Sequence, residues 1–106
     1  MGKRTSKIIE TGQGEGKIFE NSIFIDTVHY NYQISQEFIL IEAQEGSDSM
    51  PGLKELSGDL KLRNKRLDIL GKYLELELSD KSVRNIVIRS GDFIEGEYRF
   101  ISGPSN

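Results

Sequence analysis

Apolar side chains recur at every second position along most of this chain. Leu74, Leu76 and Leu78 share one face of an extended segment while Glu75 and Glu77 take the other, which is the period-2 pattern of a half-buried β-strand. The same alternation runs through 17–19, 22–34, 38–43, 60–62, 67–69, 73–78, 83–89 and 93–101, each bounded by Gly, Asn, Asp or Ser at hairpin spacing. The pattern predicts about eight short strands joined by tight turns, an all-β antiparallel meander that forms a small barrel or a bent sandwich.

Two stretches depart from it. In 22–34 the apolar face switches from odd positions (Ile23, Ile25) to even ones (Val28, Tyr30, Tyr32, Ile34). A strand changes face only by inserting a residue, so a β-bulge or sharp bend is expected near Asp26 and Thr27. Residues 44–57 carry Gly46, Ser47, Asp48, Ser49, Pro51 and Gly52 and read as a long loop of lid or binding-loop length. Leu53, Leu56 and Leu60 stand at helical spacing, which leaves room for one short helix near 52–58. The domain plan is a flexible N-terminal segment 1–13, one all-β domain over 14–102, and a flexible C-terminus 103–106.

Composition supports the β reading and narrows the function classes. The 106 residues suffice for one modest core. Ile, Val, Phe and Tyr supply much of the apolar surface, and Ala, the best helix former, occurs only at Ala43. The absence of cysteine excludes a disulfide scaffold, a zinc finger, an iron–sulfur site and a thiol nucleophile. A single histidine excludes a multi-His site, so neither metal nor cofactor is expected. A net charge of −3 argues against nucleic-acid binding, which draws on a basic excess. The longest apolar run, 38–41, is far too short to span a bilayer. No N-terminal stretch combines a basic start with the apolar run of a secretory signal, so no membrane role and a cytoplasmic location are expected.

Several residue groups invite chemistry. Gly12, Gly14, Gly16 and Lys17 suggest a phosphate loop, but the glycines are one residue too close and Ile18 replaces the needed hydroxyl. They read instead as a flexible lead-in to the first strand. Met1, Gly2 and Ser6 fit a myristoylation pattern that also arises by chance or from cloning. Glu75 with Glu77, and Glu95 with Glu97, read as solvated strand faces rather than a glycosidase pair.

Asp26, His29 and Tyr30 form the one acid–imidazole cluster, though Asp26 and His29 meet only if a bulge re-aims one of them. Tyr30, Tyr32 and Tyr98 would line either a ligand cavity or a packed core. Lys61, Arg63, Lys65 and Arg66 form a basic hairpin tip preceded by an acidic stretch, a polarity that would steer a charged partner, dock subunits or be satisfied within the monomer. The first functional reading is a non-catalytic binding or protein-interaction module using that tip. The second is a calycin-like carrier of a small apolar ligand or lipid, with Asp26, His29, Tyr30, Tyr32 and Tyr98 around its site. The third is an enzyme using Asp26 and His29. A free strand edge would in addition allow a homodimer.

Overall fold

The computed structural model describes residues 2–43, 46–64 and 67–103. Its strands are β1 (Gly2–Glu20), β2 (Ile23–Ala43), β3 (Gly46–Leu62), β4 (Tyr73–Glu77), β5 (Val83–Asp92) and β6 (Glu97–Ser102). All pair antiparallel in one sheet that closes in a ring in the order β1-β2-β3-β6-β5-β4. Two meanders, β1-β2-β3 and β4-β5-β6, thus meet along two seams. One is β3 with β6; the other is the short pairing of β1 with β4, from Lys17↔Glu77 to Phe19↔Glu75.

The all-β class matches the alternation, but six strands replace the eight expected. Segments 22–34 and 38–43 are one strand, because Gln36 turns inward and keeps the ladder running: its Nε2 donates to the carbonyls of Glu37 (3.1 Å) and Gly52 (2.9 Å). Residues 60–62 are the end of β3, and 67–69 lie in the connection to β4. No helix forms at 52–58. Leu56 and Leu60 stand four apart, a spacing that period 2 satisfies as well as period 3.6, and both are buried on the strand face shared with Leu62. Leu53, which the helix needed, is 70% exposed. The loop expected over 44–57 is likewise mostly strand, paired with β2 from Ala43↔Gly46 onward; Gln44 and Glu45 lie outside the described residues.

Alternate side chains from every strand fill the ring. Ile18, Val28, Leu60, Leu74, Leu76, Ile86, Ile88 and Phe100 are all at most 2% exposed, and burying each contributes about 1.5–3 kcal/mol. The connection across 63–72 closes one end. Ile69 turns into the core, Tyr98 donates its hydroxyl hydrogen to the Leu67 carbonyl at 2.7 Å, and Gly71 N–H bonds the Ile88 carbonyl at 2.9 Å.

On β1 the inward positions opposite Tyr32, Tyr30 and Val28 are Gly12, Gly14 and Gly16. A Cβ at Gly12 would run into the Tyr32 ring, and one at Gly16 into the Glu77 carbonyl oxygen across the seam. The glycine run read as a flexible lead-in is therefore strand, giving up its side-chain space to two tyrosine rings and to the close approach of β4. The Tyr30 and Tyr32 rings stack above it with centroids 6.1 Å apart.

Local devices set the register. The β1–β2 hairpin turns on Asn21 and Ser22, both at positive φ (51° and 69°), as a two-residue type I′ loop requires. The expected bulge is present: Ile18 faces Asp26 and Phe19 faces Phe24, leaving Ile25 as the extra residue. Beyond the seams, β1, β2 and β3 continue outward as a three-stranded ribbon, which accounts for the 58 × 26 × 24 Å dimensions. Residues 2–13 belong to this ribbon, paired with β2 from Gly2↔Ile41 to Gln13↔Asn31. Residues 104–106, the rest of the expected flexible C-terminus, lie outside the described residues.

Three substitutions check this account. In urea titrations, Gly16→Ala should cost about 3 kcal/mol, the upper end for overpacking. Gly14→Ala should cost clearly less, because the nearest atoms its Cβ would meet belong to the Tyr30 and Ser79 side chains, at 3.2 Å and beyond. Ser22→Gly should raise stability by about 1 kcal/mol by removing the steric penalty of a left-handed serine.

Candidate functional site

The residues singled out from the sequence divide between the two faces of the sheet. Asp26 is buried beside the start of the 63–72 connection. Its carboxylate accepts from Thr27 N–H (2.8 Å), Asn64 N–H (3.0 Å) and Asn64 Nδ2 (3.1 Å), so it anchors the chain as it leaves β3. His29 stands on the outer face, exposed, opposite Glu15 on β1 and Lys61 on β3. The bulge at Ile25 precedes Asp26, so the parity between positions 26 and 29 is unbroken and their side chains point to opposite faces. The acid–imidazole pair is not assembled.

The tyrosines serve packing and tie distant segments together. Ser79 N–H donates to the Tyr30 hydroxyl at 3.0 Å, and Ser79 Oγ lies 3.1 Å from the same oxygen, which fastens the β4–β5 turn to β2. Tyr32 donates to Glu10 Oε2 at 2.8 Å; that hydrogen bond, ahead of desolvation, raises the phenol's pKa above its ordinary value. Tyr98 is buried with its hydroxyl on the Leu67 carbonyl, and burial pushes its pKa up. The ring interior is thus occupied by side chains, with Tyr30 and Tyr98 among them.

The basic tip is partly satisfied within the chain. Lys61 pairs with Glu97 at 3.7 Å, and Arg63 bonds Glu15 on β1. Lys65 and Arg66 lie outside the described residues.

What the sequence did not reveal lies on the outside of the sheet. A groove of about 930 Å³ runs where the ribbon meets the ring, lined by Gln13, Asn31, Gln33, Asp59, Arg89 and Arg99 among others. A second groove of about 550 Å³ continues from it past His29 and Lys61. Arg89 reaches the first as the extra residue of a bulge, since Ile88 faces Phe100 and Ser90 faces Arg99. Arg99 bonds Asp59 across the strands at 3.3 Å. Outward polar positions on β2, β3 and β6 were visible in the alternation, but the bulge that adds Arg89 leaves no mark in it.

A second external feature is the pair of ribbon edges. β1 meets β4 only at Lys17–Phe19, and β3 meets β6 only from Ser57 to Lys61. Among the described residues, no strand covers the outer side of 2–13 in β1 or of 46–56 in β3. Ile8 and Ile9 on the first edge are 59% and 48% exposed. Also among the described residues, no group of acidic and histidine side chains fits a metal ion, and no helix is long and apolar enough to cross a membrane. No known family model matches the chain, and neither a curated protein nor a solved structure is similar enough to count as a match.

The tyrosine geometry predicts an alkaline response. The folded state raises the Tyr98 pKa, so that contribution is fully present below the ordinary tyrosine value of about 10 and is lost as pH rises through the raised one. Tyr98→Phe should cost about 1 kcal/mol at neutral pH for the lost hydrogen bond. It should also show a shallower loss of stability above pH ~10 than the parent, read from urea midpoints across that range.

Proposed function

We infer that this chain is a non-catalytic protein-interaction module whose contact surface is the open edge of the ribbon. The observation that carries this is the outer side of β1 over 2–13, which no strand among the described residues covers and which offers backbone N–H and C=O groups beside the exposed Ile8 and Ile9. Such an edge accepts a further strand, with main-chain hydrogen bonds giving affinity and side chains giving selectivity. The ring supports the ribbon as a rigid base. The carrier reading needs a hollow interior, and the packed tyrosines and aliphatic residues weigh against it. The enzyme reading needs Asp26 and His29 together, and the faces they occupy weigh against that as well. The partner is a protein, the basic tip has a supporting role, and the cytoplasm suits a cysteine-free chain.

A photo-crosslinking residue at position 8, introduced into the full chain in its native host, tests the assignment. A discrete protein adduct should form from position 8 and not from position 94, which is exposed on the β5–β6 turn at the far side of the ring. Absence of any adduct from position 8, or an equal adduct from position 94, overturns it.

A further inference from the structure

We propose that the occupant of the β1 edge is a second copy of this chain, its own β1 added antiparallel across a two-fold axis. This rests on the interaction-module reading and names its partner. Three observations on the ribbon carry it.

The first concerns which edge is open to pairing. The β3 edge carries Pro51, which has no N–H to give a ladder, next to an irregularity where Gly52 and Leu53 stand against Glu37 alone. Residues 2–13 of β1 contain no proline.

The second is the charge order along β1. Its N-terminal part holds Lys3, Arg4 and Lys7, and the part that follows holds Glu10 and, just past the open edge and already bonded to Arg63, Glu15. Antiparallel pairing of two identical strands lays the basic part of each beside the acidic part of the other. Parallel stacking would set like charges together. The strand is therefore self-complementary in the antiparallel arrangement, which a two-fold axis perpendicular to the strand generates.

The third is the bulge at Ile9. Ile8 pairs with Ser35 and Glu10 with Ile34, so Ile9 is the inserted residue. In an unbroken strand positions 7 and 10 would face opposite ways. Here Lys7 lies opposite Gln36 and Glu10 opposite Ile34, and these two β2 residues share a face. Lys7 and Glu10 are both exposed on that face, one on each side of Ile8 and Ile9. Across a two-fold axis near the isoleucines, Lys7 of each copy approaches Glu10 of the other, and the apolar pair meets its own image between them. Glu10 Oε2 is held by the Tyr32 hydroxyl, which presents the carboxylate at a fixed place.

Sedimentation equilibrium and a charge exchange on the full chain test the proposal. The parent protein should be a dimer. Lys7→Glu and Glu10→Lys should each weaken dimerisation at least about tenfold, because two attractive cross-strand pairs become repulsive. Mixing the two single variants should restore a dimer containing one of each, since every contact across the axis is then between opposite charges. Circular dichroism of each variant checks that the sheet is intact; should Lys7→Glu disturb it, Lys7→Ala and Glu10→Ala give the same comparison without the added charge, each losing affinity. A monomeric parent overturns the proposal, as does a dimer indifferent to both substitutions or a mixture that stays monomeric. A monomeric parent whose position-8 crosslinker captures a different protein overturns self-pairing alone and leaves the interaction-module reading standing.

Discussion

Between Lys17 and Phe19, β1 is hydrogen-bonded to β2 on one side and to β4 on the other, and this short seam turns an open sheet into a ring. The seam requires the backbone at Gly16 to come close to the Glu77 carbonyl, which only a residue without a Cβ allows. Once β1 is drawn in, the space above its glycines is free for Tyr30 and Tyr32, and the hydroxyl of Tyr30 reaches Ser79 to hold the turn that follows β4. The filled interior, the placement of the turn and the direction in which the ribbon leaves the ring all follow from this contact.

The remaining design is a matter of parity. A strand has two faces, and an inserted residue exchanges them. Ile25 lets the apolar face of β2 change over between the hairpin and the core. Ile9 places Lys7 and Glu10 on one side, and Arg89 carries a guanidinium to the outer groove. Asp26 and His29 show the reverse: no insertion falls between them, so neighbours along the chain stay on opposite faces of the sheet.

The alternation in β4, β5 and β6 was legible because each has one buried and one wet face, as Leu74 and Leu76 against Glu75 and Glu77 show. The face switch in 22–34 was legible for the same reason. Length was not. The glycines, serines and the proline of 46–57 imitate a loop, yet they form a strand because β2 supplies a ladder for them to join, and local composition carries no record of that neighbour. Ile69 imitates a strand residue since burial, not pairing, put an apolar side chain there. The tyrosines were correctly placed on inward faces, but whether an inward tyrosine lines a cavity or plugs it depends on what stands opposite, here glycine on β1. The open edges were invisible because periodicity describes the faces of a strand and says nothing of its sides.

The ring's division into two meanders has a kinetic corollary. Within each, the ladders join consecutive strands, and the β1–β2 and β4–β5 hairpins close through short turns. The seams are different: Phe19 must find Glu75, and Ser57 must find Ile101, over stretches of chain whose closure entropy is spent before any contact rewards it. Folding should therefore proceed as two rapid local collapses followed by a slower docking of halves. Until that docking is complete, the edges of β4 and β6 remain as sticky as those of the ribbon.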